Sequence, residues 1–133
     1  MISIRHNETL PRDFRSLQAR SGNRVSSKLS AVGAIKNSIF TVGVYLDEEL
    51  VAFGRICGDY HLYFLICDIM LDKRLTNERY INLVVKELDD FLRLAATKDS
   101  QVIVEVDKPM DELFSKIGFK YFDEDYRLVM RRK

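Results

Sequence analysis

Glycine is scarce in this chain. Six occur in 133 residues, and none stands between Gly58 and Gly118. A loop that wraps a phosphate with its own backbone needs glycine for close approach, so a glycine-rich phosphate loop is excluded from the middle of the chain. Proline is rarer still, with two residues, and no Pro-, Gly- or Ser-rich linker divides the sequence. One domain over residues 1–133 is expected. The two cysteines, Cys57 and Cys67, both lie inside apolar runs. Buried thiols on neighbouring strands are expected rather than a disulfide, and no spacing marks a metal site. No charge of one sign dominates: 21 basic and 20 acidic residues leave a formal net charge of +1. That balance argues against nucleic acid or an anionic membrane as an obligatory partner, and the basic end RLVMRRK reads as a solvated terminus. No apolar run approaches the roughly 18 residues of a membrane span, and MISIRHNETL lacks a signal-peptide core, so a cytoplasmic protein is expected.

What is present is a patterned globular sequence. MISIRH suits a short first strand. LPRDFRSLQARSG reads as a helix, with Pro11 near its start and Gly22 past its end. NRVSSKLSAVGAIKNS places Val25, Leu29, Val32 and Ile35 near a helical period. SIFTVGVYL and LVAFGRICG are β-branched and aromatic runs joined at Asp47-Glu48-Glu49, a hairpin signal, and Gly58-Asp59 turns the chain into YHLYFLICDIML. Three consecutive antiparallel strands are expected.

From Asn77 the period changes. Tyr80, Leu83, Val84, Leu88, Phe91 and Leu92 share one helical face, with Thr76 or Asn77 as N-cap. QVIVEV follows as a strand, so this strand–helix–strand reads as a crossover between parallel neighbours. MDELFSKIGF reads as a short helix ended by Gly118 and YRLVM as a last strand, with an extra short strand expected near Phe119–Phe122. The order is βααβββαβαβ.

That order resembles the GNAT superfamily of acyl-CoA-dependent N-acyltransferases, and three stretches carry the likeness. ELVAFGRICGD is similar to the family's third strand and its Gly-Asp turn. YFLICDIML is similar to the fourth strand, aromatic-rich and containing an Asp. DELFSKIGF is similar to the terminal segment in which a short helix ends at Gly-Phe. Together they span the chain from about Asn7 onward. The resemblance implies an α+β fold with a mixed, mostly antiparallel sheet of 6–7 strands and about four helices. It implies direct transfer of acetyl from acetyl-CoA to a primary amine of a small molecule or peptide. It places the cofactor on the fourth-strand backbone (Ile66, Asp68, Ile69, Met70 and Leu71) and on the following helix start (Thr76, Asn77, Glu78, Arg79, Tyr80 and Ile81). Arg74 would reach the phosphates and Phe114 would lie near the sulfur. A homodimer through sheet edges or helices is compatible with such a domain.

Two departures stand beside the resemblance. The family loop Gln/Arg-x-x-Gly-x-Gly/Ala matches TNERYI, which puts Arg79 and Ile81 at glycine positions; a shifted register, RLTNER, puts Asn77 and Arg79 there. Many members carry a Tyr, as in Y-E-K-x-G-F, that protonates the departing thiolate; the matching residue in FSKIGF is Phe114. Both favour an alternative function, a GNAT-like binding or interaction domain that kept the fold and lost turnover.

The chemistry needs a base, because an alkyl ammonium with a pKa of ~10.4 is not a nucleophile. Glu105 in QVIVEVD is one candidate: alternation sends Val102, Val104 and Val106 to one face and Ile103 and Glu105 to the other, where Glu105 is either the base or a solvated strand residue. Asp68 either receives the substrate amine or pairs with Arg55 or Arg74. His61, early in its strand, reads as structural, and Cys67 lacks a basic partner to activate it.

Overall fold

The computed structural model describes residues 1–122 and 128–132. Its elements run β1 (Ile2–His6), α1 (Pro11–Arg20), α2 (Lys28–Lys36), β2 (Phe40–Leu46), β3 (Glu49–Gly58), β4 (Tyr63–Leu71), α3 (Arg79–Ala95), β5 (Gln101–Val104) and α4 (Asp111–Ser115). The strands form one sheet in the order β1-β2-β3-β4-β5. The first four are antiparallel neighbours, and β5 lies parallel to β4 after the α3 crossover.

α1 and α3 bury apolar faces against the sheet, whereas α2 buries only Ala31, with Leu29 and Val32 of its expected apolar face exposed. On one side of the sheet, Ile81, Val84, Val85, Leu88 and Leu92 of α3 pack on Val42, Val44, Ala52, Ile56 and Ile66. On the other, Phe14 and Leu17 of α1 and Ala31 of α2 close over Tyr45, Leu50, Phe53 and Met70. The α1 helix opens with Pro11 at its first turn, where a missing N–H breaks no helical bond. It closes in a Schellman arrangement: Gly22 N–H donates to Ala19 O at 3.2 Å and Asn23 N–H to Gln18 O at 2.9 Å.

The β2–β3 hairpin is the expected tight turn, with both Asp47 and Glu48 at positive φ, as a two-residue type I′ loop requires. The β3–β4 turn is tied by Asp59, whose Oδ1 accepts the N–H groups of His61, Leu62 and Tyr63. Those three bonds favour the ionised carboxylate and lower its pKa, led by the Tyr63 and His61 amides.

Several expectations need correction. The second helix begins at Lys28, not Asn23, because Gln18 Oε1 captures both the N–H and the hydroxyl of Ser26 and Ser27 caps the helix through Ser30 N–H. α3 begins at Arg79, two residues after Asn77. β5 ends at Val104, so Glu105 stands just beyond the strand. Five strands are present among the described residues rather than six or seven. Phe119–Phe122 forms no strand, and Leu128, Val129 and Met130 are exposed without a ladder partner. Tyr126 and Arg127 of the expected last strand lie outside the described residues.

Candidate active site

The site begins with a slip in register. Phe53 pairs with Met70 and Arg55 with Cys67, so Gly54 alone faces both Asp68 and Ile69. This is a β-bulge, and Asp68 carries it with φ +52°. A non-glycine residue held in the left-handed region stores of order 1–2 kcal/mol of strain. Asp tolerates that conformation better than most residues. Gly54 is required opposite: a Cβ there would meet Val84, Ile69 and Leu88 of the core at 2.8 to 2.9 Å. Gly54 therefore lets α3 settle on the sheet, while the bulge re-aims the Asp68 side chain.

That side chain turns toward Arg55, whose Nε donates to Asp68 Oδ2 at 2.6 Å. Arg55 Nη1 also donates to Ser38 Oγ at 3.3 Å, tying the pair to the end of α2. Burial is the largest single effect and lowers the Arg55 pKa, but the Asp68 hydrogen bond together with the charges of Cys67, Asp68 and Cys57 outweighs it, and the net direction is up. The pair is half-open, with 35% of the Asp68 side chain and 17% of the Arg55 side chain exposed. Cys67 stands beside it, and burial pushes its thiol pKa up to about 12. The Cys57 and Cys67 sulfurs lie 3.9 Å apart as free thiols. A thiol with so high a pKa carries almost no thiolate at neutral pH and is no nucleophile.

Just before the bulge, β4 loses its neighbour. β5 accompanies β4 only from Tyr63 to Ile66, and a final link runs from Glu105 N–H to Ile66 O at 2.9 Å. From Cys67 to Leu71 no described strand pairs with that edge. Val102, Val104 and Val106 pack into the α3-side core, which leaves Ile103 and Glu105 on the opposite side, the side that Arg55 and Asp68 occupy. Glu105 is exposed.

The gap opens into a cleft of about 370 Å³ between β4, the start of α3, and α4. Ile69, Met70 and Leu71 form its floor, with Leu75, Ile81, Met110 and Leu113 completing the apolar wall. Glu78, Asp107 and Glu112 stand on its rim with Lys73 and Lys116, while Ser21 and Asn23 close the α1 end. An apolar trough beside an unpaired strand edge can take an extended ligand arm whose amides continue the sheet as a short strand.

Of the residues expected around the cofactor, the cleft brings together Ile69, Met70, Leu71, Glu78 and Ile81. Ile66 is buried in the α3-side core, and Asp68 lies beside the cleft with Arg55. Thr76 and Asn77 are exposed outside the lining, and Asn77 Oδ1 already accepts the N–H of Arg79 at 2.9 Å. Arg79 lies with its guanidinium 5.4 Å from the Tyr80 ring centroid. Arg74 turns away: its Nη2 donates to Asp72 Oδ2 at 2.7 Å and to Glu49 Oε1 at 2.6 Å. Phe114 is 2% exposed, packed edge-to-face on Phe119, and borders a separate groove of about 450 Å³ along β5. Tyr121 lines that same groove, and its hydroxyl donates to the Asp111 carboxylate.

Sequence reasoning missed Asp72, the hub of the turn after β4. Its carboxylate is fully buried and accepts Arg20 Nη1 at 2.5 Å as well as the Arg74 N–H and side chain. The Arg74 side chain, its backbone N–H and Arg20 together hold the Asp72 carboxyl far below the usual carboxylate range, against the effect of burial. The run Asp72-Lys73-Arg74 was the available signal, since a carboxylate ending an apolar strand needs partners when it is buried.

No family model and no curated protein matches the chain. Solved structures do. A protein of unknown function from meticillin-resistant Staphylococcus aureus, described as a probable acetyltransferase, superimposes with a TM-score of 0.88 over 100% of both chains at 23% identity. A GNAT-family acetyltransferase from Streptococcus pneumoniae TIGR4 gives 0.74 over 100% of both chains at 16% identity. The ribosomal-protein-S18-alanine N-acetyltransferase from Escherichia coli gives 0.71, with 90% of this chain and 78% of that chain covered, at 16% identity. The chain therefore has the fold of the GNAT acetyltransferases.

Proposed function

We propose that the protein is an N-acetyltransferase that passes acetyl from acetyl-CoA directly to a primary amine. The observation that carries this reading is the strained bulge at Asp68, placed where β5 leaves β4 and an apolar cleft opens. Acetyl-CoA supplies a thioester, an acyl group already activated toward amines; as the C–N bond forms the C–S bond breaks, and the coenzyme leaves as its thiolate, which takes a proton from solvent. Ile69, Met70 and Leu71 line the path of its arm and exclude water from it. On the other side of the sheet edge, Asp68 orients the incoming amine, fixed in place by Arg55. Glu105, exposed and without an ion pair among the described residues, takes the amine's proton. No metal is needed for these steps. No helix of the described chain is long and apolar enough to cross a membrane.

A second reading, a domain that binds a ligand without turnover, is supported by Phe114. Its buried ring offers no proton to a departing thiolate. One titration separates the two readings. Acetyl-CoA at about 100 times its dissociation constant should stabilise the fold by ~2.7 kcal/mol, visible in a melting curve, and acetylated product should then form from a panel of amines. Binding without product would select the second reading. An unmoved melting curve at millimolar acetyl-CoA would remove the first.

A further inference from the structure

The turn after β4 is shaped without glycine, and Asp72 is what shapes it. Leu75 N–H donates to Asp72 O at 2.9 Å, Arg74 N–H to Asp72 Oδ1 at 2.9 Å, and Lys73 N–H to Arg20 O at 3.0 Å. Arg74 is thereby folded back onto Asp72 and Glu49, and the first N–H of α3 is filled by Asn77 Oδ1. Glu78, the residue before that helix, adds a negative charge to the cleft rim there. The helix start is thus a poor seat for an anion in this chain.

Lys73 is a good one. Its side chain crosses to the C-terminal end of α1 and lies over Gly22: a Cβ added to Gly22 would collide with Lys73 Nζ and stand 2.5 Å from Cε. The Schellman arrangement explains why Gly22 has φ +81°, and with glycine there the Lys73 ammonium can lie directly against the helix end, a place a β-carbon would make it leave. The Lys73 ammonium has no hydrogen bond or ion pair to another described residue. It lines the same cleft as Ser21, Asn23 and the apolar floor of β4.

Resting on the acetyl-CoA reading above, the geometry points to Lys73, held over Gly22, as the residue that receives the diphosphate of the coenzyme in place of the α3 N-terminus. The missing loop glycines and the presence of Gly22 then have one explanation. Close approach has moved from backbone N–H groups to a single ammonium, and the glycine has moved to the helix end that makes room for it. The nucleotide end of the ligand would lie toward the α1–α2 connection rather than along the first turn of α3.

The test is calorimetric titration of the wild type and of Lys73→Met, Gly22→Ala and Arg79→Glu with coenzyme A at two salt concentrations. Lys73→Met should weaken binding about tenfold, the scale of one charge-assisted hydrogen bond, and flatten the salt dependence. Gly22→Ala keeps every charge but displaces the ammonium, and should weaken binding in the same direction while the melting curve confirms a folded protein. Arg79→Glu should leave affinity within about twofold, less than the tenfold effect of one such bond. Wild-type affinity in Lys73→Met, or a loss in Arg79→Glu as large as in Lys73→Met, would overturn the assignment while leaving the acetyltransferase reading intact. A wild type that does not bind coenzyme A would overturn both.

Discussion

Arg55 Nε donates to Asp68 Oδ2 at 2.6 Å across the one point where β3 and β4 slip out of register. The ion pair and the bulge support each other: the left-handed backbone at Asp68 aims its carboxylate at Arg55, and the pair holds that backbone in a region most residues avoid. Because the pair is half-open, its direct contribution to stability is small, and its effect on geometry is the larger one.

Substitutions at Asp68 should therefore separate strain from charge. Asp68→Asn keeps tolerance of positive φ and should unfold within about 1 kcal/mol of the wild type. Asp68→Ala forces a β-carbon without that tolerance and should be less stable than Asp68→Gly by about 1 kcal/mol. Urea denaturation of the three variants checks the order. A variant ranking with Ala above Gly would mean the bulge relaxes when Asp68 is removed.

Asp72 gives a second stability prediction. Asp72→Asn leaves Arg20 and Arg74 without their shared carboxylate and should cost about 3 kcal/mol, the low end for a broken buried pair, since Arg74 keeps access to water. The pH dependence has a definite sign. The folded carboxyl titrates well below its unfolded value of ~3.9, so its contribution is full at neutral pH and is lost as pH falls below ~4 toward the folded value. Urea midpoints from pH 7 down to pH 2 should show that acid-dependent loss in the wild type and a smaller one in Asp72→Asn.

Much of this was legible in the sequence. The α3 helix, the hairpin at Asp47-Glu48 and the parallel return of β5 follow from periodicity and turn chemistry that tertiary contacts reinforce. Alternation also placed Glu105 on the face away from the valines. The bulge was not legible, because a one-residue slip leaves the apolar run YFLICDIML looking continuous. Nor was the fate of Arg74, since a count of cations near a loop does not reveal that a buried Asp72 has already engaged one of them. The second helix came out shorter than its apolar spacing because Gln18 captures Ser26, a contact between residues eight apart that no periodicity encodes.

Phe114 tests whether the position that the resemblance matches to a tyrosine borders chemistry. Its ring is 2% exposed, packed on Phe119 and the α3-side core at the edge of the β5 groove, so an added hydroxyl is expected to be buried. Phe114→Tyr should lose about 1–3 kcal/mol, the cost of burying an unpaired hydroxyl, and should not raise turnover. Equilibrium urea unfolding and a steady-state assay on one preparation answer both halves. Unchanged stability with faster turnover would show that the ring edge reaches the cleft.

Glu105 carries the sharpest prediction about chemistry. It closes the pairing between β5 and β4 through its own N–H, which the side-chain substitution Glu105→Gln leaves in place. The exposed carboxylate makes no ion pair with another described residue, so the substitution should leave the melting curve unchanged. If the carboxylate takes the amine's proton, kcat/KM should fall by about 10²-fold or more at neutral pH, the usual contribution of a positioned base. The deficit should shrink as pH rises toward the acceptor's own pKa, near 10.4 for an alkyl amine, because solution then supplies the free amine directly. Affinity for acetyl-CoA should not change, since Glu105 lies outside the lining of the cleft. A pH–rate profile of the two proteins, with coenzyme affinity measured alongside, distinguishes a base from a residue that merely steadies the strand: the latter would lower the rate equally at every pH.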